Sequence, residues 1–245
     1  MPALLDLGDR VEAKAGDRLI TSYVYAKDWS KPFLYPVNGP GGRGVTSQGP
    51  QDHPHHRSLW VAHGDVSGVD CWSELEGHGR IVHQGFLELS ESEASAELAA
   101  RNLWTRGDGR PVLEELRGVR VFDPSFDSLM IDLSVTLVAS QGKVAFGDTK
   151  EAGLASVRVA ASMEVEEGGR LENSSGGVNE AQVWGRRALW CDYSGEVGGE
   201  KLGIAIFDHP SNLRHPTYWH ARNYGLMTAN CFGISYFTQN PKNRG

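Results

Sequence analysis

The sequence predicts an all-β fold, a large antiparallel β-sandwich. Apolar and polar residues alternate over many short runs, glycine-rich turns separate those runs, and no stretch carries the apolar spacing of a long amphipathic helix. The chain has 245 residues, 40% hydrophobic and 22% charged, which suits one globular domain over residues 1–245 with a substantial core.

In chain order, the first expected strands are Leu19 to Ala26, Phe33 to Val37, Ser58 to Ala62 and Ile81 to Leu89. A long hairpin from Ala94 to Phe122 follows, turning at Gly107 to Gly109. Residues Ala94 to Ala100 include helix formers, but Ala96, Leu98, Ala100, Asn102 and Trp104 keep a period of two up to the turn. The clearest alternation is Leu129, Ile131, Leu133, Val135 and Leu137, the mark of a half-buried strand. Ser156 to Val165, Ala188 to Tyr193, Leu202 to Phe207 and Cys231 to Thr238 complete the set. The exception to short connections is Asn38 to Arg57, with five glycines and three prolines. Long irregular loops in compact domains are disproportionately functional.

Net charge is −7 and no run of Lys and Arg appears, which argues against a nucleic-acid partner. The N-terminus lacks a signal-peptide pattern, and no apolar run reaches the roughly 18 residues a membrane span needs, so the expectation is a cytoplasmic protein with no membrane partner. Cys71, Cys191 and Cys231 are odd in number, without a C-x-x-C pair, and read as buried small hydrophobes. Nothing in the pattern fixes an oligomeric state.

Seven of the nine histidines fall in two short segments, "HPHHRSLWVAHGD" from His53 and "DHPSNLRHPTYWHARNYG" from Asp208. Pro54 biases His53 toward an extended backbone, which would place His53 and His55 on one side and His56 on the other. If "SLWVA" is a strand, His63 lies about 16 Å from the loop end by strand rise, so the four histidines of the first segment do not form one cluster. Between the segments, "FGDTKEAG" puts Asp148, Lys150 and Glu151 on a strand-end turn, and Asp70, Trp72 and Glu74 would share a face if extended. Aromatic faces beside Arg, Asn and Asp are the ingredients of a sugar site. No nucleophile elbow, P-loop or dinucleotide fingerprint is present.

The segments "YPVNGPGGRGVT", "DHPHHRSLWVAHGDVSGVDCWSE", "GRIVH", "FGDTKEAG" and "DHPSNLRHPTYWHARNYGL" together resemble the bacterial PmoA-like family, whose usual label is "methane oxygenase PmoA". The resemblance runs from about Phe33 to Tyr236. A membrane oxygenase subunit needs spanning segments that this chain lacks, so the label misleads. The resemblance implies a β-sandwich from bacteria that encode it among sugar-oxidoreductase and glycan-degradation functions. More loosely, it is similar to the galactose mutarotase-like sandwiches, in which a histidine acts as acid and a glutamate as base on a sugar. Family members continue past "FTQNPKNRG" into another strand, which implies that the chain is truncated at Gly245 or lacks one sheet edge.

The leading expectation is a carbohydrate-active enzyme using histidine and carboxylate proton transfer on a sugar or oxidised sugar, of epimerase, mutarotase, lyase or hydrolase type. His56, His63, Glu151 and His220 are the acid/base candidates; Asn38, Arg57, Trp72, Asp148, Lys150 and Arg222 are the substrate contacts. One alternative is a metal-dependent hydrolase or oxygenase, with a divalent metal on His53, His55 and a C-terminal histidine. The other is a non-catalytic sugar-binding protein.

Overall fold

A computed structural model of the chain describes residues 1–124 and 127–243. Gly245, where the expected truncation falls, lies outside the described residues.

Among the described residues fifteen strands form three sheets in which every pairing between strands is antiparallel. The largest has eight strands in the order β1 (Pro2–Asp6), β2 (Arg10–Ala15), β3 (Arg18–Val24), β4 (Phe33–Val37), β5 (Leu59–His63), β10 (Ala152–Arg158), β15 (Leu226–Asn230) and β14 (Tyr218–Arg222). A four-stranded meander contains β6 (Arg80–Glu91), β7 (Ser95–Thr105), β8 (Pro111–Phe122) and β9 (Ile131–Val138). A three-stranded sheet contains β11 (Arg170–Asn173), β12 (Trp190–Val197) and β13 (Glu200–Phe207).

The two smaller sheets cover one face of the large one, which makes the sandwich. Val11, Ile20, Tyr23 and Trp219 of the large sheet share a buried core with Leu98 and Val119 of the meander and with Leu171 and Tyr193 of the small sheet. Val61 of β5 packs with Ile81, Trp104 and Leu113 in a second part of the same layer. On the opposite face, Phe33, Trp60, Ala62, Trp72 and Leu226 form a separate cluster. We call these the inner and outer faces. Strand residues alternate between faces with a period of two. Leu59, Val61 and His63 therefore point inward while Trp60 and Ala62 point outward, and Trp219 and Ala221 point inward while Tyr218, His220 and Arg222 point outward.

The alternating runs of the meander form strands as expected, with the turn at Gly107 to Gly109. Cys231 to Thr238, read as a strand, instead holds α2 (Ile234–Thr238), a short helix like α1 (Asn179–Val183) before it. The side chain of Asn230 accepts the Phe232 and Gly233 amides at 2.8 and 3.0 Å and turns the chain out of β15. The Ser156 to Val165 strand begins earlier, at Ala152, and ends at Arg158, giving way to a 3-10 turn (Ala161–Met163) that buries Met163. Asp70, Trp72 and Glu74 are not extended. Asp70 accepts the Trp72 and Ser73 amides at 2.7 and 3.1 Å in a side-chain turn, and Glu74 has φ of 55°. Strands β1, β2, β11, β14 and β15 were not expected; the short runs of the first three mix charged and apolar residues, β14 overlaps the histidine-rich segment, and β15, LMTAN, has no period of two. All three cysteines are free and buried, and burial pushes the Cys71 and Cys231 thiols up to about 12 and 11. Among the described residues no helix is long and apolar enough to cross a membrane.

Candidate functional site

The outer face of the large sheet carries a cavity of about 330 Å³. One wall is the end of the long loop, with His53, His55 and His56; the second is the "FGDTKEAG" turn, with Thr149, Lys150 and Glu151. His220, Tyr224 and Leu226 of the β14–β15 hairpin supply the third, and Asp70, Trp72 and Ser73 the fourth.

Each wall is held by hydrogen bonds that its sequence encodes. Pro50 to His56 is turned, not extended: the His53 amide donates to Pro50 O and the His56 amide to His53 O, at 3.1 and 3.0 Å. The expected divergence of His56 from its neighbours is therefore corrected. The His53 and His56 rings stack at 4.6 Å, and His55 packs edge-on against both, at 5.8 and 4.7 Å. His56 also stacks on Trp60 at 5.2 Å and is buried. Its Nδ1 lies 3.5 Å from Arg158 Nη1, which can only donate, so the ring proton sits on Nε2. Burial, followed by its histidine neighbours and Arg158, pushes its pKa far down and keeps it neutral.

The "FGDTKEAG" turn is pinned from below. Asn230, fully buried, donates to Thr149 O and Lys150 O at 3.0 and 3.1 Å. His220 Nδ1 donates to the same Lys150 carbonyl at 2.8 Å, which leaves Nε2 as a bare acceptor. Burial first, then the Lys150 ammonium, pushes the His220 pKa down to about 4, so it is neutral near pH 7. A side chain at Gly233 would place its Cβ 2.6 Å from Thr149 O, so only glycine lets α2 approach this turn. Above the turn, Glu151 pairs with Lys150 and accepts Thr149 Oγ1 at 3.1 Å. Burial favours its neutral form, but the Lys150 and Thr149 contacts outweigh it and hold its pKa below the usual value, leaving a carboxylate.

His56, Trp72, Lys150, Glu151 and His220 are thus brought together. The other expected site residues have different places. His63, on the inner side of β5, is enclosed by Phe146 and Phe232 at 5.4 and 4.8 Å, and its Nδ1 accepts the Asp65 amide at 2.9 Å. Arg57 is taken up by Glu74 and lies over Trp29 at 4.7 Å. Glu74 also pairs with Lys31, whose side chain is fully buried and donates to Trp72 O at 3.0 Å; Arg57, Glu74 and Lys31 therefore brace the Trp72 wall from behind. Asp148 accepts the Ser235 amide at the start of α2, at 3.1 Å. Asn38 donates to Leu19 O at 2.9 Å and is not among the cavity walls. Arg222 pairs with Glu180 at 3.1 Å and lies over Tyr224 at 5.5 Å, behind the wall rather than in it.

Three features were missed in sequence. Tyr224, stacked on His53 at 4.6 Å, and Asn230 belong to a hairpin from which the sequence singled out His220 and Arg222 instead. Arg158, almost fully buried, joins His56 to Asp52 and Glu164 across a separation no spacing rule reveals. A lateral row also crosses four strands on the outer face: Trp60 pairs in register with Ser156, Ser156 with Thr228 and Thr228 with His220. Trp60 Nε1, Ser156 Oγ and Thr228 Oγ1 are buried with no hydrogen-bond partner among the described residues.

The metal set expected from His53, His55 and a C-terminal histidine does not assemble. The Nδ1 contacts of His53 with Asp52, at 2.8 Å, and of His220 with a carbonyl leave each Nε2 open, but the three rings are not brought round one point. Among the described residues no group of three or more His, Cys, Asp or Glu is placed to hold a metal ion.

Compared with known proteins, residues 10–243 match the model of a family of unknown function (DUF6807), and the chain belongs to that family. No curated protein and no solved structure matches it.

Proposed function

We propose that this member of a family of unknown function is a carbohydrate-active enzyme that moves a proton on a sugar or oxidised sugar in the outer-face cavity. The observation that supports this reading is the pairing, in one cavity, of an ionised carboxylate, Glu151, with a neutral imidazole, His220, whose Nε2 is a free acceptor. Two titratable groups held in defined states beside each other are what proton transfer requires.

In this reading Glu151 accepts a proton from a sugar hydroxyl or an acidified C–H. The Lys150 ammonium beside it holds the negative charge that develops on the substrate oxygen. His220 Nε2 accepts a hydroxyl, His56 donates from Nε2–H, and the Trp72 and Tyr224 rings receive the apolar C–H face of the sugar. A volume of about 330 Å³ lies at the small end of the range for ligand sites and suits a single sugar ring better than a chain. The resemblance to PmoA-like proteins and, more loosely, to galactose mutarotase-like sandwiches supports the same class of reaction.

The test is an NMR screen of mono- and disaccharides, keto-sugars included, with the wild-type protein and Glu151→Gln. The expected result is anomerisation, exchange or cleavage of one class. Glu151→Gln should lower it about 10²- to 10⁴-fold with unchanged thermal unfolding. Binding without conversion would make the protein a sugar-binding module, and full turnover by Glu151→Gln would remove this residue from the role.

A further inference from the structure

A second, larger cavity of about 560 Å³ lies away from the first, where the β3–β4 connection meets the ends of β6 and β7 and the Gly107–Gly109 turn. Its lining combines the aromatic rings of Tyr25 and Trp29 with four cations, Lys27, Lys31, Arg80 and Arg106, and one acid, Asp108. Lys31 is neutralised by Glu74, and Asp108 is engaged by Arg110 at 2.7 Å. Lys27 and Arg106 make no side-chain hydrogen bond or ion pair among the described residues. Arg80 spends only Nη2, on the backbone carbonyls of Lys27 and Trp29, and its Nε is buried without a partner. The His83 ring, tilted 4.5 Å from Tyr25, presents a second buried nitrogen, Nδ1, with no hydrogen-bond partner.

Lys27 and Arg80 have no carboxylate partner among the described residues, and Arg106 only shares the field of Asp108 with Arg110; three such cations facing one hollow are unusual in a chain of net charge −7. Like charges gathered in a cleft repel each other, and the cost is recovered when an anion enters. Guanidinium groups recognise carboxylate and phosphate oxygens through paired N–H donors, and a ring body would rest on Trp29 and Tyr25. We propose that this cavity is a binding site for a small ring-bearing oxyanion of the sugar-acid or sugar-phosphate type. Lys27, Arg80 and Arg106 hold its charged group, and Trp29 with Tyr25 hold its ring. The site does not depend on the chemistry of the first cavity, since the two share no lining residue.

The test is a titration of the full chain followed on the Trp29 indole N–H signal, assigned by its loss in Trp29→Phe. The probes are glucuronate, glucose 6-phosphate and uncharged glucose. The expected result is saturable binding of at least one anionic probe with a Kd of ~1 mM or tighter, weakened about tenfold or more in the Lys27→Ala/Arg106→Ala double variant and by added salt. Glucose should leave the signal unmoved, and Glu151→Gln should bind as the wild type does. The proposal is overturned if neither anionic probe binds, if the double variant binds as tightly as the wild type, or if glucose binds equally well. Which anionic probe binds more tightly tells carboxylate from phosphate recognition. Lys27 is exposed and Arg106 stands on a turn, so the double variant should retain the fold, which its unfolding curve verifies.

Discussion

His63 and His220 occupy the two faces of one sheet. Both are nearly free of solvent, at 0% and 3% exposure, and burial pushes both down to about 4. On the inner face His63 fits between two phenylalanines as a packing residue. On the outer face His220 is clamped through Nδ1 and keeps Nε2 for the cavity. A depressed histidine pKa therefore does not identify a working histidine by itself. What separates the two is the direction of the side chain and whether a lone pair is left over.

The sharpest way to break this comparison is to exchange the two residues' fates. In the assay described above, His220→Gln should lower turnover about 10²-fold, while His63→Leu should stay within about a factor of two. Equal losses would mean that the faces do not divide structure from function. Next in size is Asn230→Ala. It strips two hydrogen bonds from the base of the lysine–glutamate turn and two from the exit of β15, and should cost about 3 kcal/mol in denaturant unfolding, with turnover falling as the turn loosens. An unchanged unfolding midpoint would show that the turn is held otherwise.

Acid titration sharpens the comparison further. Histidines folded as neutral imidazoles take up protons in the unfolded chain below the ordinary value of 6.5, but in the folded chain only near 4. The unfolded state thus binds more protons across that window, so stability is present above pH 6.5 and is lost as pH falls toward 4. Each pKa unit is worth about 1.4 kcal/mol for a fully buried group. Urea unfolding at a series of pH values should show this slope, and His63→Leu should flatten it without touching turnover. The smallest expected effect is that of Thr228→Val, which removes a buried hydroxyl with no partner and should raise stability by up to about 1 kcal/mol. A loss of stability would mean that the hydroxyl is satisfied in solution.

The meander was legible in sequence because one side of each strand is buried and the other exposed, so β9 reads as a strict alternation. β14 and β15, at one end of the large sheet, are covered on both faces, by the core on one and by the cavity walls on the other, so they show no clean alternation and escaped notice. In the site, Lys150 and Glu151 were legible as chemistry-bearing residues on a strand-end turn, and His220 as one of a cluster of histidines. The roles of Arg57, Asp148 and Arg222 were not, because their partners Glu74, Ser235 and Glu180 are set by loop paths rather than by spacing.

By itself the sequence determined the all-β class, the hairpin with its glycine turn, and the concentration of histidines at two places. These follow from local rules: side-chain period, turn residues and composition. Only the tertiary structure decided which histidines meet, because β5 and β14 are far apart in the chain and become near neighbours only through β10 and β15. It also decided that His63 faces the core. In a strand one residue reverses the direction of a side chain, and the sequence does not say which face the rest of the molecule will cover.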